Sequence, residues 1–414
     1  MRISWSLGLV PALAVIAGMA GAAERKPAAA PVPPPLPVGV RAEPVSFRAL
    51  AGWRGDDHAK AFQVWLASCR SQTSDNPALN DGVPAPPDLV TLCQKALKLG
   101  KLDARAARAF FQDNFSPWRI RPPEGSGPVA GKAFYTGYYE PEIPGSLVRE
   151  GPYQTPLLDR PSDLVAFGLN AVPPGFEGYA AARRKPDGSL EIYPDRKAIE
   201  EGALDGQGLE IGYIADPVDR FFMQVQGSGT LRLPTGSTVR YAYSGKNGQP
   251  YTGIGRIVAQ RLNVPPREIT MASLRAFLAK DPSVAREVMQ ENKSFVFFKI
   301  APFLGPDAGP IGGEGLPVTP LRSIAIDRKI WPYGLPVFID TAIPDIGGGV
   351  KPQTIRKLMI AQDTGSAIIG AARADIFFGT GDKAGAIAGA VRHGGEFTVL
   401  WPKPEAASKP GSAR

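Results

Sequence analysis

The chain has 414 residues, of which 43% are apolar, so it is long enough for two or three domains with a sizeable core. Its net charge of +8 and its pI near 9.4 favour an anionic partner: nucleic acid, a membrane surface or an acidic polymer such as a cell wall. No Lys/Arg run is dense enough to indicate nucleic acid. The two histidines are isolated and the cysteines lack ligand spacing, which argues against metal catalysis and a serine triad.

The N-terminus has the pattern of a secretory signal. Arg2 precedes an apolar run, and small residues follow at Ala20, Ala22 and Ala23. We therefore predict a cleaved signal peptide at 1–23, with an uncleaved anchor as the alternative, and a Pro/Ala-rich linker at 24–40. No cysteine lies at the signal boundary, so a lipoprotein is not expected.

Three helices are predicted between residues 56 and 115. The first begins after an N-cap at Asp56 or Asp57, the second follows Pro87, and the third covers about 104–111. Cys69 and Cys93 lie on the apolar faces of the first two helices. In an exported protein this pair favours a disulfide, and two buried free thiols are the alternative.

The middle of the chain is predicted to contain strands and then helices. Residues 133–145, AFYTGYYEPEIPG, predict a strand that runs into a loop. Residues 216–233 predict a strand of period two, with Phe222, Gln224 and Gln226 on one face. Such a face suits a groove that hydrogen-bonds sugars, or else it faces solvent. Helices are predicted at about 252–263, 271–280 and 283–291.

The last third of the chain is predicted to form short strands separated by Gly/Pro turns. The strand sequences are FVFFKI, SIAID, LPVFIDT, RKLMIAQD, DIFFG and FTVLW. One helix is predicted there, near residues 383–391. Many short strands with regular turn signals favour a barrel over a layered sheet.

Asp327, Asp363 and Asp375 each lie where one of these strands meets a turn. Clustered carboxylates repel one another, and the apolar residues at 376–378 desolvate them, so the pKa of at least one should be raised. A protonated aspartate near neutral pH can serve as the general acid that cleaves a glycosidic bond. For any one of the three alone, capping of a turn is the alternative.

Two families resemble parts of this pattern. DTGS after an apolar strand, followed by IIG, resembles the catalytic turn of aspartic peptidases, although a single DTG would require a homodimer. From about residue 130 to 403 the chain resembles the membrane-bound lytic murein transglycosylase A family. The motifs that carry this resemblance occur in order: TGYYEP, GPYQTPL, DPVDRFFMQVQGSG, SGKNGQPYTGIGR, SFVFFK, LPVTPLRSIAID and AQDTGSAIIGAARADIFFGTGDKAG.

The second resemblance implies a mainly β fold with α-helices. It comprises a double-psi β-barrel domain that carries an inserted second β-rich domain, plus an N-terminal helical unit. The implied barrel domain is split between 41–141 and 304–403, with the helical entry unit at 56–115 and the three-aspartate region at 323–381. The inserted substrate-groove domain would cover 142–303, and a disordered tail would cover 404–414.

The same resemblance implies roles for particular residues. Asp375 would be the catalytic acid and base, and Asp363 and Asp327 would hold it in position and keep its pKa high. The implied substrate-binding residues are Thr136, Tyr138, Gln226, Ser228 and Gly229.

The implied reaction cleaves the β-1,4 bond between N-acetylmuramic acid and N-acetylglucosamine in peptidoglycan. It leaves 1,6-anhydro ends, because the 6-hydroxyl of the sugar attacks in place of water. We expect a peptidoglycan glycan strand as partner, no nucleic acid, no metal and no cofactor. A periplasmic monomer is expected, peripheral association with membrane or wall stays open, and a non-catalytic wall-binding protein is the remaining alternative.

Overall fold

The computed structural model describes residues 1, 32–74, 78–125, 128–301, 305, 308–343 and 353–404. Apart from Met1 the predicted signal peptide lies outside these ranges, as do residues 24–31 of the predicted linker and 405–414 of the predicted tail. The described residues from Val32 onward belong to one contact unit. None of the helices in these ranges is long and apolar enough to cross a membrane.

The described residues alternate between strands and helices. The strands are β1 (Arg41–Pro44), β2 (Phe115–Arg121), β3 (Ala133–Glu140), β4 (Glu142–Ser146), β5 (Thr155–Leu158), β6 (Leu164–Ala166), β7 (Ala181–Arg184), β8 (Leu190–Glu191), β9 (Glu210–Ile214), β10 (Ser228–Arg232), β11 (Thr238–Lys246), β12 (Val296–Ile300), β13 (Ser323–Ile326), β14 (Pro336–Ile343), β15 (Gln353–Thr364), β16 (Arg373–Thr380) and β17 (Arg392–Pro402). The α-helices are α1 (His58–Gln72), α2 (Pro87–Leu99), α3 (Ala104–Asn114), α4 (Arg196–Glu200), α5 (Pro217–Gln226), α6 (Gly255–Leu262), α7 (Met271–Leu278), α8 (Pro282–Gln290) and α9 (Asp382–Ala390).

Most of the predicted helices are confirmed, and their ends follow from local chemistry. The side chain of Asp57 accepts a hydrogen bond from the Lys60 amide at 3.0 Å and so caps α1. Pro87 occupies the first turn of α2, and Gly100 ends that helix with a φ of 68° that glycine adopts without strain. The helices α3, α6, α7, α8 and α9 also lie where the sequence places them.

The strand predicted over residues 216–233 is wrong for its first half, which forms helix α5. Asp216 accepts a hydrogen bond from the Val218 amide at 2.8 Å, Pro217 fills the first turn, and Gly227 ends the helix in the left-handed conformation. Phe222 and Gln224 are therefore buried helix residues and do not share a strand face with Gln226. The Asp216 cap, Pro217 and Gly227 determine a helix here, although the side chains alternate as in a strand.

A closed barrel of six strands forms the centre of the fold, and the predicted fold class is confirmed. Its strands follow the order β17-β14-β15-β13-β16-β3, and β3 pairs with β17 to close the ring. Two of the pairings, β13 with β15 and β16 with β3, are parallel. The interior is filled by large apolar side chains, including Ile324, Ile339, Met359, Ile376 and Phe397.

The helical unit α1–α3 packs against the outside of this barrel. Its aromatic core contacts Phe338, Leu358, Ile360 and Leu400, which point outward from the barrel strands. Within that core, Cys69 of α1 and Cys93 of α2 are joined as a disulfide. The buried residue Asp56 joins the two parts more directly, because its carboxylate accepts hydrogen bonds from Arg322 at 2.7 and 2.9 Å.

A second sheet lies beside the barrel, with strand order β12-β11-β10-β4-β9-β5. The chain passes from β3 of the barrel to β4 of this sheet across Pro141, so the loop predicted after Glu140 is another strand. Helices α5 to α8 share an apolar core that includes Phe222, Val258, Leu278 and Val288. The predicted domain boundaries remain predictions.

Substitution Asp56→Ala should lower the free energy of unfolding by about 3–5 kcal/mol, because it leaves the buried charge of Arg322 without a partner. Burial raises the pKa of Asp56, but the hydrogen bond and charge of Arg322 outweigh burial and leave the pKa below its usual value. The ion pair therefore stabilises the fold above about pH 4 and loses its contribution as the pH falls further. Denaturant unfolding at neutral and acidic pH measures both effects.

The neighbouring residue provides the control. Asp57→Ala removes the exposed cap of α1 and should cost about 1 kcal/mol. If Asp56→Ala costs no more than Asp57→Ala, Asp56 does not have the role described here.

Candidate active site

Asp375 on β16 lies opposite Thr136 of β3 in the parallel pair of strands. The Thr136 hydroxyl donates a hydrogen bond to Asp375 Oδ1 at 2.6 Å. Arg373 donates from Nη2 to Thr136 Oγ1 at 2.7 Å, and it shares a strand face with Asp375 because the two residues are two positions apart. These three side chains form a hydrogen-bonded chain that holds one oxygen of the Asp375 carboxyl and leaves the other for a ligand.

Burial raises the pKa of Asp375 above its usual value. The charge of Arg373 and the hydrogen bond from Thr136 favour the ionised form, but they do not outweigh the loss of water around the carboxyl. The residue is half-buried by accessible area, so one edge of it still reaches solvent. Asp375 is thus an accessible carboxyl that binds its proton more tightly than an ordinary aspartate.

Asp363 at the end of β15 lies near Asp375. Its Oδ1 accepts hydrogen bonds from the Gly313 and Thr364 amides, both at 2.8 Å. Burial raises the pKa of Asp363 to about 6, these amides and Tyr138 oppose the shift, and the charge of Asp375 adds to it. Ionisation of both carboxyls at the same time is therefore unfavourable.

Gly313 is required where it stands. A Cβ at this position would lie 2.6 Å from the Tyr333 hydroxyl, so a larger residue would move its amide away from Asp363.

Tyr138 lies between the barrel core and the two aspartates. Its ring packs on Phe377 with centroids 5.2 Å apart. Burial raises its pKa well above the usual value, and the charges of Asp363 and Asp375 act in the same direction. Its hydroxyl faces Asp363 but forms no hydrogen bond of standard geometry within the described ranges. It is therefore a buried donor beside the carboxyl pair.

Asp327 is bonded differently from the other two aspartates. Its carboxylate accepts hydrogen bonds from the backbone amides of Lys329 at 3.0 Å and Gly370 at 2.8 Å. The groups that act on the pKa of Asp375 are its own burial, Arg373 and Thr136. Asp327 therefore anchors the segment that leads into β16.

The remaining predicted substrate-binding residues lie on α5 and β10. Gln226 accepts a hydrogen bond from the Tyr139 amide at 3.1 Å and so joins α5 to β3 next to Tyr138. Ser228 and Gly229 are on β10, opposite Ala242 and Tyr241 of β11. In the described part of the chain neither residue forms a hydrogen bond with any of the three aspartates. Their role in binding remains a prediction.

Sequence reasoning missed two residues that complete the site. Arg373 stands two positions before Asp375 in RAD, and the period of a strand would have placed both on one face. Tyr251 lies in the loop after β11. Burial and the charge of Asp375 raise its pKa, and the charge of Arg196 only partly opposes the rise. It therefore brings the second sheet close to Asp375, and no local signal predicted that approach.

Comparison with known families matches two parts of the chain. Residues 134–299 match the MltA specific insert domain. Residues 322–401 match the 3D domain, and this region includes Asp327, Asp363 and Asp375.

Two curated relatives share one name. A protein of Vibrio cholerae serotype O1 named membrane-bound lytic murein transglycosylase A is 34% identical over 267 residues, which cover 58% of this chain and 71% of that protein. The Escherichia coli K12 protein of the same name is 31% identical over 309 residues, which cover 73% of each chain.

Solved structures extend the similarity over most of the fold. A membrane-bound lytic murein transglycosylase from Agrobacterium tumefaciens is 35% identical, with a TM-score of 0.75, and the match covers 87% of this chain and 97% of that one. MltA from Neisseria gonorrhoeae is 30% identical with a TM-score of 0.71, and the match covers 92% and 98% of the two chains. Escherichia coli MltA with bound chitohexaose is 26% identical with a TM-score of 0.60, covering 84% and 91%.

Substitution Thr136→Val should raise the pKa of Asp375 further, because the lost hydroxyl donates to the ionised carboxylate. NMR titration of carboxyl-labelled aspartate measures the shift. Asp56 is an internal control, because neither Thr136 nor Asp375 is among the groups that act on its pKa. A pKa of Asp375 that stays constant or falls would contradict the assigned hydrogen bond.

Proposed function

The chain belongs to the membrane-bound lytic murein transglycosylase A family, and we propose that Asp375 is the acid and base with which it cleaves peptidoglycan. The bond would be the β-1,4 link between N-acetylmuramic acid and N-acetylglucosamine. The product would carry a 1,6-anhydro end.

One observation carries the choice of Asp375. Its carboxyl has a raised pKa, is fixed by Thr136 at 2.6 Å through one oxygen, and is only half-buried, so part of it reaches solvent. A general acid needs a bound proton, a fixed direction and access to the leaving oxygen. Asp375 meets these three requirements together.

The proposed reaction uses this carboxyl twice. Protonated Asp375 first donates its proton to the glycosidic oxygen as the bond to C1 breaks. The resulting carboxylate then takes the proton of the muramic acid 6-hydroxyl while that oxygen bonds to C1. One carboxyl suffices because the substrate supplies the nucleophile, in contrast to glycosidases that use two carboxylates.

The neighbouring groups would support the same step. Asp363 lies close enough for the charge of Asp375 to raise its pKa, so the pair binds one proton more readily than two isolated aspartates would. Thr136 and Arg373 would stabilise the carboxylate that forms after proton donation. Asp327 would keep the segment before β16 in place through the Gly370 amide.

The two alternative functions receive less support. An aspartic peptidase requires two DTG turns facing each other, whereas the aspartate of the single DTG, Asp363, lies near Asp375 of RAD. A non-catalytic wall-binding protein would not require carboxyls with raised pKa values.

We place the protein in the periplasm, where its proposed substrate lies. The Cys69–Cys93 disulfide supports an oxidising compartment. The predicted signal peptide and the expected absence of a lipid anchor remain predictions.

Substitution Asp375→Asn should reduce the release of anhydromuropeptides from murein sacculi by at least about a hundredfold, because an amide can neither donate the acidic proton nor act as the base. The fold should be retained, since asparagine has the same shape. Mass spectrometry of the digest and circular dichroism measure the two properties.

Asp382→Asn provides the matched control, because Asp382 is an exposed aspartate in the first turn of α9. This variant should release products at the rate of the unmodified protein. Asp363→Asn tests the assignment within the pair: if it abolishes release while Asp375→Asn does not, the general acid is Asp363.

A further inference from the structure

Four cationic side chains gather beside the aspartate site: Arg160, Lys246, Arg328 and Lys329, hereafter the basic cluster. Lys246 ends β11, and its Nζ donates to Ser366 Oγ at 2.8 Å, which joins the second sheet to the loop after Asp363. The Arg160 side chain packs over Gly245, where its Cδ would lie 3.3 Å from a Cβ. Its guanidinium donates to the Leu164 carbonyl at 2.9 Å.

The charges of the cluster act on one another. Burial, together with the positive charges of Arg328 and Lys329, lowers the pKa of Lys246 to about 8. The charges of Arg160 and Arg328 both oppose the rise that burial causes in the pKa of Tyr243, so both lie near its hydroxyl. The cluster thus combines cations from two parts of the fold. Arg160 and Lys246 lie beside β11, and Arg328 and Lys329 lie in the turn after β13.

The described ranges contain no ion pair of the basic cluster; Arg160 and Lys329 are exposed, and Lys246 and Arg328 are half-buried. Across the described ranges, no carboxylate lies within salt-bridge distance of any of the four, although 15 other ion pairs are present. The acidic side chain on the same turn, Asp327, gives its oxygens to the amides of Lys329 and Gly370. Arg328 donates to the backbone carbonyl of Asp81, which carries no net charge.

The position of the cluster connects it to the chemistry. Ser366, which Lys246 contacts, is three residues beyond Asp363, and Lys329 is two residues beyond Asp327. Tyr251, five residues after Lys246, is close enough for Asp375 to raise its pKa. A glycan lying at Asp375 would therefore extend past positive charge that the protein leaves unneutralised.

We propose that the basic cluster binds carboxylates that murein carries outside its sugar rings, and that it favours peptide-bearing strands over plain glycans. This inference rests on the proposed function. Two sources supply the same chemistry: the lactyl group of muramic acid and the acidic residues of the stem peptides. An anion here would relieve the repulsion among the four cations, which gives binding a source of free energy besides contacts with the sugar rings.

The experiment compares three ligands that differ in carboxylate content. Strands in which every muramic acid carries a stem peptide present only peptide carboxylates, because the lactyl carboxyl is then amide-linked to the peptide. Strands stripped of peptides by an amidase present the freed lactyl carboxylate, and chitohexaose carries neither. For Lys246→Gln we expect about fivefold weaker binding of peptide-bearing strands and unchanged affinity for chitohexaose. The glutamine amide can still donate to Ser366, so the loop contact is retained.

The kinetic form of the test separates binding from chemistry. Lys246→Gln should raise KM for peptide-bearing strands and leave kcat unchanged, and added salt should weaken binding of the unmodified protein more than that of the variant. Lys98→Gln, an exposed lysine of α2, removes the same charge and should change neither quantity.

The stripped strands identify the source of the carboxylate. If Lys246→Gln weakens the binding of both kinds of strand, the cluster accepts either carboxylate; if it leaves the binding of the stripped strands unchanged, only the stem peptide is bound. Equal weakening for all three ligands, or no weakening for any, overturns the inference. In the Asp375→Asn background affinity is measured without cleavage, so failure of the unmodified protein to cut murein would count against the proposed function alone.

Discussion

The parallel pairing of β16 with β3 is the constraint on which the site depends. It brings Thr136 to Asp375 across 239 positions of sequence, and a slip of one residue would turn the aspartate to the other side of the barrel wall. The end of β3 is fixed by the buried Glu140, which pairs with Arg240 of the second sheet at 2.9 Å and accepts from Thr380 of β16 at 2.8 Å. One carboxylate thus joins both strands of the site to the second sheet, so the barrel pairing and the placement of that sheet support each other.

Two buried aspartates show how the same fold produces opposite electrostatic results. Both carboxylate oxygens of Asp56 accept hydrogen bonds from Arg322, and the pKa of Asp56 is lowered although the residue is buried. Asp375 also has an arginine nearby, but Thr136 stands between Arg373 and the carboxyl, and burial then determines the direction of the shift. Direct pairing makes Asp56 a structural ion that stabilises the fold. Because Arg373 reaches Asp375 only through Thr136, Asp375 binds a proton more readily and is able to exchange it.

Much of this arrangement could be predicted from the sequence, and the failures have physical causes. Helix caps and apolar spacing located α1, α2 and α3, and short strands between Gly/Pro turns indicated a barrel. The segment at 216–233 was misassigned because the alternation of Phe222, Gln224 and Gln226 mimics a strand, whereas the Asp-Pro start and Gly227 determine a helix. The contacts of Tyr251 and Lys246 with the aspartate region could not be predicted, because they depend on how two sheets approach each other and no local pattern encodes that.

The most direct test of the central claim is digestion of sacculi in water labelled with heavy oxygen, followed by mass spectrometry of the muropeptides. If the 6-hydroxyl of muramic acid attacks C1 and Asp375 only transfers the proton, the new ends are anhydro sugars that contain no oxygen from water. Hydrated ends that carry the heavy oxygen would show that water is the nucleophile. That result would contradict the one-carboxyl account of this site.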